Sequence, residues 1–325
     1  MLNESWLHEA VRNEAKCAEA LRSAARRQDV KLYVEQSPEI YRIVSRAAAR
    51  YIAGETRQEG IVTARQLMEK GYAVSLEYIG ENTADAEECK QAALEFMQLI
   101  QELGRAGMTS RISLDLSHIG LAVDPELAYL HLTQLAELAQ LHGMELVISM
   151  EESEKTEGIL AVYERAAAEH SHVGITLQAQ LERTPHDLER VLACPGRIRI
   201  VKGAYLEDES IPRSDALNAR YLELLDRCIR AGQPVSIATH DERLIRTAAE
   251  RGYLKGPQVE LEMLYGIRPD LAANLRAAGA PVRIYLTYGS EWFLYLLHRI
   301  AEYPPNVYTA ITDMITGAAG RSALY

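Results

Sequence analysis

The chain alternates between short apolar runs typical of β-strands and longer amphipathic segments typical of helices. From residue 3 to 53, apolar residues recur at three- and four-residue spacing, which predicts helices and no strand. After Gly54 the rhythm changes, and eight strand-like runs follow, each with a helical segment behind it. The first run is "YAVSLEYIG" at 72–80 and the last is "PVRIYLTYG" at 281–289. Each connection is long enough for the crossover that joins parallel strands.

Eight strand–helix units predict an α/β fold, a (β/α)8 TIM-type barrel with an N-terminal helical arm and an additional C-terminal helix. The predicted division is an arm at 1–58 and a catalytic barrel at 59–325, with a further amphipathic helix after Pro304. The six strands predicted between the first and the last are 111–117, 145–150, 173–180, 197–205, 234–240 and 258–264.

A barrel of this kind places its chemistry where the strands end and the loops that lead into the helices begin. The strand bodies are mostly Val, Ile and Leu, so polar residues are expected to gather at one end of the barrel. The strand ends carry Glu77, Asp115, Ser149, Glu151, Gln178, Lys202, Thr239, His240, Glu262 and Tyr285.

Charge and composition exclude several classes of protein. A formal net charge of −11 argues against a general nucleic-acid binder. The four cysteines form no CxxC pair, which indicates reduced thiols rather than a zinc or redox site. The start lacks the pattern of a signal peptide, and no window offers the ~18 continuous apolar residues of a membrane span. The sequence therefore predicts a soluble, cytoplasmic protein.

Two strand ends carry candidate chemistry. In "VKGAY", Lys202 supplies a charge for a phosphate, and Gly203 lets a bound group approach the backbone. In "ATHDE", His240 is a candidate general base, metal ligand, donor to a cofactor or structural hydrogen-bonding group. A metal-dependent barrel enzyme would have Asp115, His118, His240 and Glu262 as its available ligands, although no HxH or HExxH spacing supports it. Neither a GxGxxG nor a P-loop pattern is present.

The segment "YLLHRIAE" at 295–302 leaves two interpretations open. On a helix, Tyr295, Arg299 and Glu302 share one face because they are spaced four and three apart. That face is either a solvated surface with an intrahelical Arg–Glu pair or one wall of a binding site.

Three segments resemble the monofunctional bacterial proline dehydrogenases, relatives of the proline dehydrogenase domain of proline utilisation A. They are "RIRIVKGAYLEDE", "SIATHDERLI" and "ELEMLYGIRPDL…RIYLTYGSEWFLYLLHRIAEYPPN", and the match runs in order from about residue 60 to 306. The resemblance implies a barrel that binds FAD non-covalently, oxidises L-proline to Δ1-pyrroline-5-carboxylate and passes electrons to a quinone. A quinone acceptor implies at most transient, peripheral contact with the inner face of the membrane.

The resemblance also implies roles for individual residues. Arg199 matches the arginine beside the flavin ring, and Tyr285, Tyr295, Arg299 and Glu302 match substrate-binding positions. The residues matching the cofactor-binding pattern are Met150, Gln178, Arg199, Lys202, Gly203, Ala204, Thr239 and His240.

The chain departs from the family at three substrate positions. Asp115 in "SLDL" stands where the family motif SVKL has lysine. Ser149 in "ISMEE" stands where the family motif IDMED has its first aspartate. His298 stands where the family has the first of two adjacent arginines that precede the glutamate matched by Glu302. These changes make the pocket about two charge units less positive, so a substrate carboxylate would be held poorly.

The sequence therefore predicts a flavin-dependent oxidoreductase with altered substrate specificity. It would oxidise a C–N bond of proline, or of a related cyclic or secondary amine, to an imine by hydride transfer. Its catalytic residues would be Arg199, Asp115, Tyr285 and Ser149. Asp115 and His298 would also belong to the substrate site, where one of them would bind the amine or take its proton. The alternatives are a flavin-binding homologue without this activity and a metal-dependent barrel hydrolase.

Overall fold

Eight parallel strands close into a barrel in which each strand pairs with its neighbours in chain order, and the last pairs with the first. The computed structural model describes residues 4–25, 27–203, 210–303, 306–317 and 325. The strands are β1 (Ala73–Tyr78), β2 (Arg111–Leu114), β3 (Glu145–Ile148), β4 (Val173–Gln178), β5 (Ile198–Val201), β6 (Val235–Ala238), β7 (Val259–Leu264) and β8 (Val282–Tyr288). The predicted TIM-type barrel is confirmed.

Helices precede, connect and follow the strands. Four precede the barrel: α1 (Glu4–Ala25), α2 (Gln28–Glu35), α3 (Pro38–Ala48) and α4 (Arg57–Glu69). The others are α5 (Ala86–Arg105), α6 (Pro125–Leu141), α7 (Thr156–Glu169), α8 (Thr184–Val191), α9 (Asp215–Arg230), α10 (Glu242–Glu250), α11 (Pro269–Ala277), α12 (Trp292–Glu302) and α13 (Asn306–Thr316). Within the described part of the chain, none of these helices is long and apolar enough to cross a membrane.

The strands bury apolar side chains on their outer faces and polar side chains inside the barrel. Leu76, Ile112 and Leu261 belong to the core that the surrounding helices cover. Side chains alternate along a strand, so the polar residues between them point inward. The polar residues were expected at one end only, and that expectation is incomplete, because a second polar group fills the amino-terminal half of the barrel.

Arg111 is the centre of this second group. Its guanidinium is 1% exposed and donates to Glu145 at 2.7 Å, Glu260 at 2.6 Å and Glu262 at 3.3 Å. Arg283 also donates to Glu260, at 3.0 Å. A buried charge is tolerated only when it is paired and hydrogen-bonded, so these strands depend on one another electrostatically.

Replacing Arg111 with methionine is expected to lower the free energy of unfolding by about 3–5 kcal/mol, because it removes a buried cation that Glu260 and Glu262 share and leaves each with one fewer partner. Chemical denaturation measures the change. The matched control is Arg165→Met, which removes a surface pair with Glu126 and should lower the free energy of unfolding by less than about 1 kcal/mol. Equal losses in the two variants would contradict the structural role given to Arg111.

α12, the helix that follows the last strand, does not join the helices that surround the barrel. Instead α4, which precedes the barrel, packs against β1 and β8. Its start is fixed by a capping box in which Thr56 and Glu59 bond each other's backbone. The boundary predicted at 58/59 lies in the first turn of this helix, and that division of the chain stays a prediction. Because α4 occupies the place beside β1 and β8, α12 can lie across the carboxyl ends of the strands instead.

The helical arm holds α12 in place. Trp292, Phe293 and Leu296 of α12 form a second apolar core with Val34 and Ala48 of the arm. The Trp292 indole donates to Glu55 at 3.1 Å. On the far side, Arg50 makes two bonds to Asp313 of α13, at 2.5 and 2.8 Å. The arm therefore positions a helix that reaches the site.

Candidate active site

A cavity of about 760 Å³ opens at the carboxyl ends of the strands, beneath α12. This volume lies within the range of about 300–1,000 Å³ usual for ligand sites. All predicted site residues in the described part of the chain line it, and Ala204 lies outside that part. The lining includes Asp115, Ser149, Met150, Gln178, Arg199, Lys202, Gly203, Thr239, His240, Tyr285, Tyr295, His298, Arg299 and Glu302.

One side of the cavity suits an anionic group. Lys202 Nζ lies 2.7 Å from Asp241, whose other carboxylate oxygen caps α10 by accepting from Arg243 N. Gly203 has a φ of +113°, and a Cβ there would lie 2.3 Å from the Gln180 side chain. Only glycine fits this turn. A lysine, a glycine turn and a helix amino terminus together form an ordinary phosphate-binding arrangement.

His240 can serve both as a structural hydrogen-bonding group and as a donor to a cofactor, two of the roles that the sequence left open. Its Nε2 accepts a hydrogen bond of 2.9 Å from Leu264 N, so the ring has a structural role. Burial lowers its pKa to about 4, which leaves the ring neutral at pH 7. A neutral ring that accepts at Nε2 carries its proton on Nδ1, so the same side chain can donate a hydrogen bond into the cavity.

Arg199 is held rigidly on the cavity floor. Its guanidinium makes a forked pair with Glu262, at 3.1 and 2.9 Å, and donates to Ser113 at 2.7 Å. The Tyr285 ring centroid lies 4.8 Å from its Cζ. Burial alone would raise the pKa of Glu262, but Arg199 and Arg111 lower it to about 2, so the pair is ionic. The guanidinium cannot move far without breaking this pair.

The segment 295–302 is both a helix with an internal ion pair and a wall of the cavity. Arg299 Nη1 lies 2.9 Å from Glu302, and its Cζ lies 5.0 Å from the Tyr295 ring centroid. The Tyr295 hydroxyl is buried beside that of Thr287, and neither makes a hydrogen bond of normal geometry within the described residues. The two interpretations of this segment are therefore compatible.

Two carboxyl groups lie on the floor opposite α12. Glu77 is 8% exposed and Asp115 is partly buried next to Ser149. Burial raises the pKa of Glu77 to about 7, with Arg199 and Arg299 opposing the rise. Burial also raises the pKa of Asp115 well above its usual range, and the neighbouring carboxylate of Glu77 adds to the effect. Because the two groups repel each other as anions, ionisation of one favours the protonated form of the other.

The ligands considered for a metal do not converge. His118 packs between the rings of Tyr78 and Phe96, and Glu262 is occupied by arginines. In the residues that the structure describes, no group of three or more His, Cys, Asp or Glu could hold a metal ion. The metal-dependent hydrolase is not favoured.

Several lining residues were missed from the sequence. Arg50 and Tyr51 reach the cavity from the end of the arm, and Arg268 reaches it from the loop before α11. Glu77 was recognised as a strand-end residue, but it was given no role. The position of the arm residues could not be inferred, because it depends on how the arm packs over the barrel.

Comparisons with known proteins agree with this geometry. The family model for proline dehydrogenase matches residues 61–306. Proline dehydrogenase 1 of Bacillus subtilis is 31% identical over 264 residues, covering 80% of this chain and 87% of the relative. Proline dehydrogenase of Deinococcus radiodurans is 33% identical over 281 residues, covering 83% and 90%.

A solved structure is similar in fold. The crystal structure of proline utilization A from Bdellovibrio bacteriovorus superposes with a TM-score of 0.72 at 14% identity, covering 94% of this chain. This chain spans 44% of that structure's length, and at this identity the likeness shows the barrel fold alone. With the family model and the relatives, it supports one conclusion: the chain belongs to the proline dehydrogenase family, whose members are flavin-dependent oxidoreductases acting on CH–NH donors.

Proposed function

We propose that this enzyme uses FAD to oxidise the C–N bond of proline, or of a related cyclic or secondary amine, to an imine. One observation supports this above the others: a single cavity brings the Lys202–Gly203 turn and Arg199 together with Tyr285 and Arg299. The first pair suits a cofactor, and the second suits a small substrate. The remaining alternative, a homologue without activity, has no such observation in its favour.

The residues fit FAD by their chemistry. Lys202, the Gly203 turn and the amino terminus of α10 offer positive charge and close approach for a diphosphate. His240 offers a neutral N–H, and Gln178 is fixed by donating to the Glu151 carbonyl at 2.8 Å. When bound, FAD supplies a two-electron acceptor for hydride. Met150 and Thr239 would contribute packing and a hydroxyl along the same surface.

The substrate side offers orientation and proton transfer. Tyr285, Tyr295 and Arg299 would hold the ring of the substrate against the cofactor, with Glu302 fixing the guanidinium. Arg199 would stabilise negative charge developing on the cofactor. Asp115, hydrogen-bonded to Ser149, or His298 would take the proton that leaves the amine nitrogen. The products are an imine, one proton and reduced cofactor, which would then pass its electrons to a quinone or another acceptor.

The test is the visible spectrum of the purified, FAD-loaded enzyme under anaerobic conditions, before and after L-proline is added. Bleaching of the flavin bands is the expected result, and chromatography of the released cofactor identifies it as FAD or FMN. A screen of cyclic and acyclic secondary amines follows in the same cuvette. The proposed function is wrong if the enzyme holds flavin and none of these amines reduces it.

A further inference from the structure

Several cations around the cavity already have carboxylate partners. Each pair has nitrogen-to-oxygen distances within salt-bridge range: Arg199–Glu262 at 2.9 Å, Lys202–Asp241 at 2.7 Å and Arg299–Glu302 at 2.9 Å. On the adjoining loop, Lys155 lies 2.9 Å from Glu151. Arg199 and Arg299, the two arginines assigned to the substrate side, are therefore each opposed by a carboxylate, whereas Arg213 lies at the Gly203 turn on the cofactor side, where it donates to the Gly203 carbonyl.

Glu77 and Asp115 differ from these paired groups. Among the described residues, neither has a cation within 4.0 Å, although both line the cavity and Glu77 is 92% removed from solvent (8% exposed). Burying an unpaired carboxylate is costly, so such a group either takes up a proton or receives a partner of opposite charge. Both groups line the cavity, so a cationic ligand bound there can be that partner.

We propose that Glu77 and Asp115 form a subsite for the protonated nitrogen of the substrate, and that the preferred substrates are cyclic secondary amines without a free carboxylate. This inference rests on the proposed function and adds the substrate class. An ammonium carries two N–H donors, and two carboxyl groups on adjacent strands supply two acceptors. The buried hydroxyls of Tyr295 and Thr287 complete the polar surface on the α12 side.

The subsite also has a place in the reaction. The bound ammonium, R2CH–NH2+–R, gives one proton to the Asp115 carboxylate and becomes a neutral amine. With FAD bound as the hydride acceptor, the C–H bond would then break and the nitrogen lone pair would form the C=N bond of an iminium ion. One substrate thus yields one iminium, one proton held on Asp115 and one hydride accepted, so atoms and charge balance.

Binding through this subsite depends on pH. The charged and titratable groups that face Glu77 come from five elements: Asp115 after β2, Glu151 after β3, Arg199 on β5, Arg299 on α12 and Glu81 in the loop after β1. Glu77 is protonated in part at pH 6 and ionised above about pH 7, because burial raises its pKa to about 7. The affinity for a ring ammonium should therefore rise by about tenfold between pH 6 and 8.

The experiment uses the FAD-loaded enzyme and three probes of similar size. Pyrrolidine has the ring nitrogen and no carboxylate, cyclopentanecarboxylate has the carboxylate and no nitrogen, and L-proline has both. Dissociation constants come from perturbation of the flavin spectrum in the oxidised enzyme, and anaerobic mixing gives the rate of flavin reduction. Pyrrolidine is expected to bind at least tenfold more tightly than cyclopentanecarboxylate at pH 8 and to reduce the flavin faster than L-proline does.

Three variants separate the subsite from general effects. Glu77→Gln and Asp115→Asn should each weaken pyrrolidine binding by at least tenfold and flatten its pH dependence, while leaving the dissociation constant of cyclopentanecarboxylate within threefold. Glu250→Gln is the matched control, because Glu250 is exposed at the end of α10, and it should change nothing. If Glu77→Gln or Asp115→Asn fails to fold, the unaltered enzyme still tests the subsite. The dissociation constants of pyrrolidine and cyclopentanecarboxylate are then compared at pH 6 and 8.

The inference and the proposed function fail in different ways. Tighter binding of cyclopentanecarboxylate than of pyrrolidine, or no response to either probe, overturns the subsite. A clear preference for L-proline over pyrrolidine in flavin reduction overturns the substrate class and leaves the proposed function intact. Tight pyrrolidine binding with no flavin reduction by any amine supports the subsite and overturns the proposed function.

Discussion

Replacing Arg199 with methionine is expected to lower the rate of amine-driven flavin reduction by at least 100-fold. The guanidinium is fixed by Glu262 and Ser113 on the cavity floor, and loss of one preorganised donor at a developing charge typically lowers a rate 10²- to 10³-fold. The same change leaves Glu262 with one fewer buried partner, so the free energy of unfolding should also fall, by about 3 kcal/mol. Stopped-flow absorbance and chemical denaturation measure the two effects.

A second variant separates chemistry from stability. Adding Glu262→Gln to Arg199→Met removes the buried carboxylate that has lost its forked partner, so it should restore part of the lost stability while the rate of flavin reduction stays low. Arg199→Lys keeps a charge but loses the forked geometry, and it should give an intermediate rate. Restoration of the rate along with stability in the double variant would show that Arg199 acts only through the fold.

The second large effect concerns substrate choice. The triple variant Asp115→Lys, Ser149→Asp and His298→Arg is expected to raise kcat/KM for L-proline between ten- and a thousandfold. At an effective dielectric constant of about 20, one like charge about 4 Å from a carboxylate costs on the order of 4 kcal/mol, which sets the upper limit. The triple variant adds two cations and one carboxylate and removes the Asp115 carboxylate, so the site becomes about two charge units more positive and should hold a substrate carboxylate more tightly. Anaerobic flavin reduction at several proline concentrations measures the change.

Single substitutions provide the controls for this prediction. Ser149→Asp alone adds a carboxylate beside Asp115, so it should lower proline turnover below that of the unaltered enzyme. The triple variant should also lose affinity for pyrrolidine, because its ring ammonium would meet Lys in place of Asp115. An unchanged or lower kcat/KM for L-proline in a triple variant that binds FAD normally would count against the account of altered specificity.

Much of the fold could be predicted because its signals are local. Runs such as 72–80 and 281–289 carry the strand pattern within nine residues, and the helices between them carry their own caps and glycine stops. The count of eight strand–helix units then favoured a closed barrel over an open doubly wound sheet, and the structure confirms the barrel. The polar network around Arg111 was not foreseen. The alternating charges in "RISLD" and "VELEML" signal it, but their pairing partners lie on strands distant in the sequence.

The candidate site was recovered in part for the same reason. Lys202, Thr239 and His240 stand in short segments whose residue types carry chemistry, and the resemblance to proline dehydrogenases gave Tyr285 and Arg299 their substrate-binding roles. Arg50 and Tyr51 were beyond reach, since nothing in their local sequence indicates that the arm ends at the cavity. Glu77 was visible at a strand end, but its raised pKa depends on burial and on carboxylates from other strands.

By itself the sequence determined the barrel, the helical arm, the family and the identity of the groups at the strand ends, because each follows from patterns within a few tens of residues. Only the tertiary structure decided which charges neutralise each other. It paired Arg199 with Glu262, placed α12 over the cavity and left Glu77 and Asp115 facing it without a cation among the described residues. Coulomb energy depends on distance and on the surrounding dielectric, and both are set by packing between segments far apart along the chain.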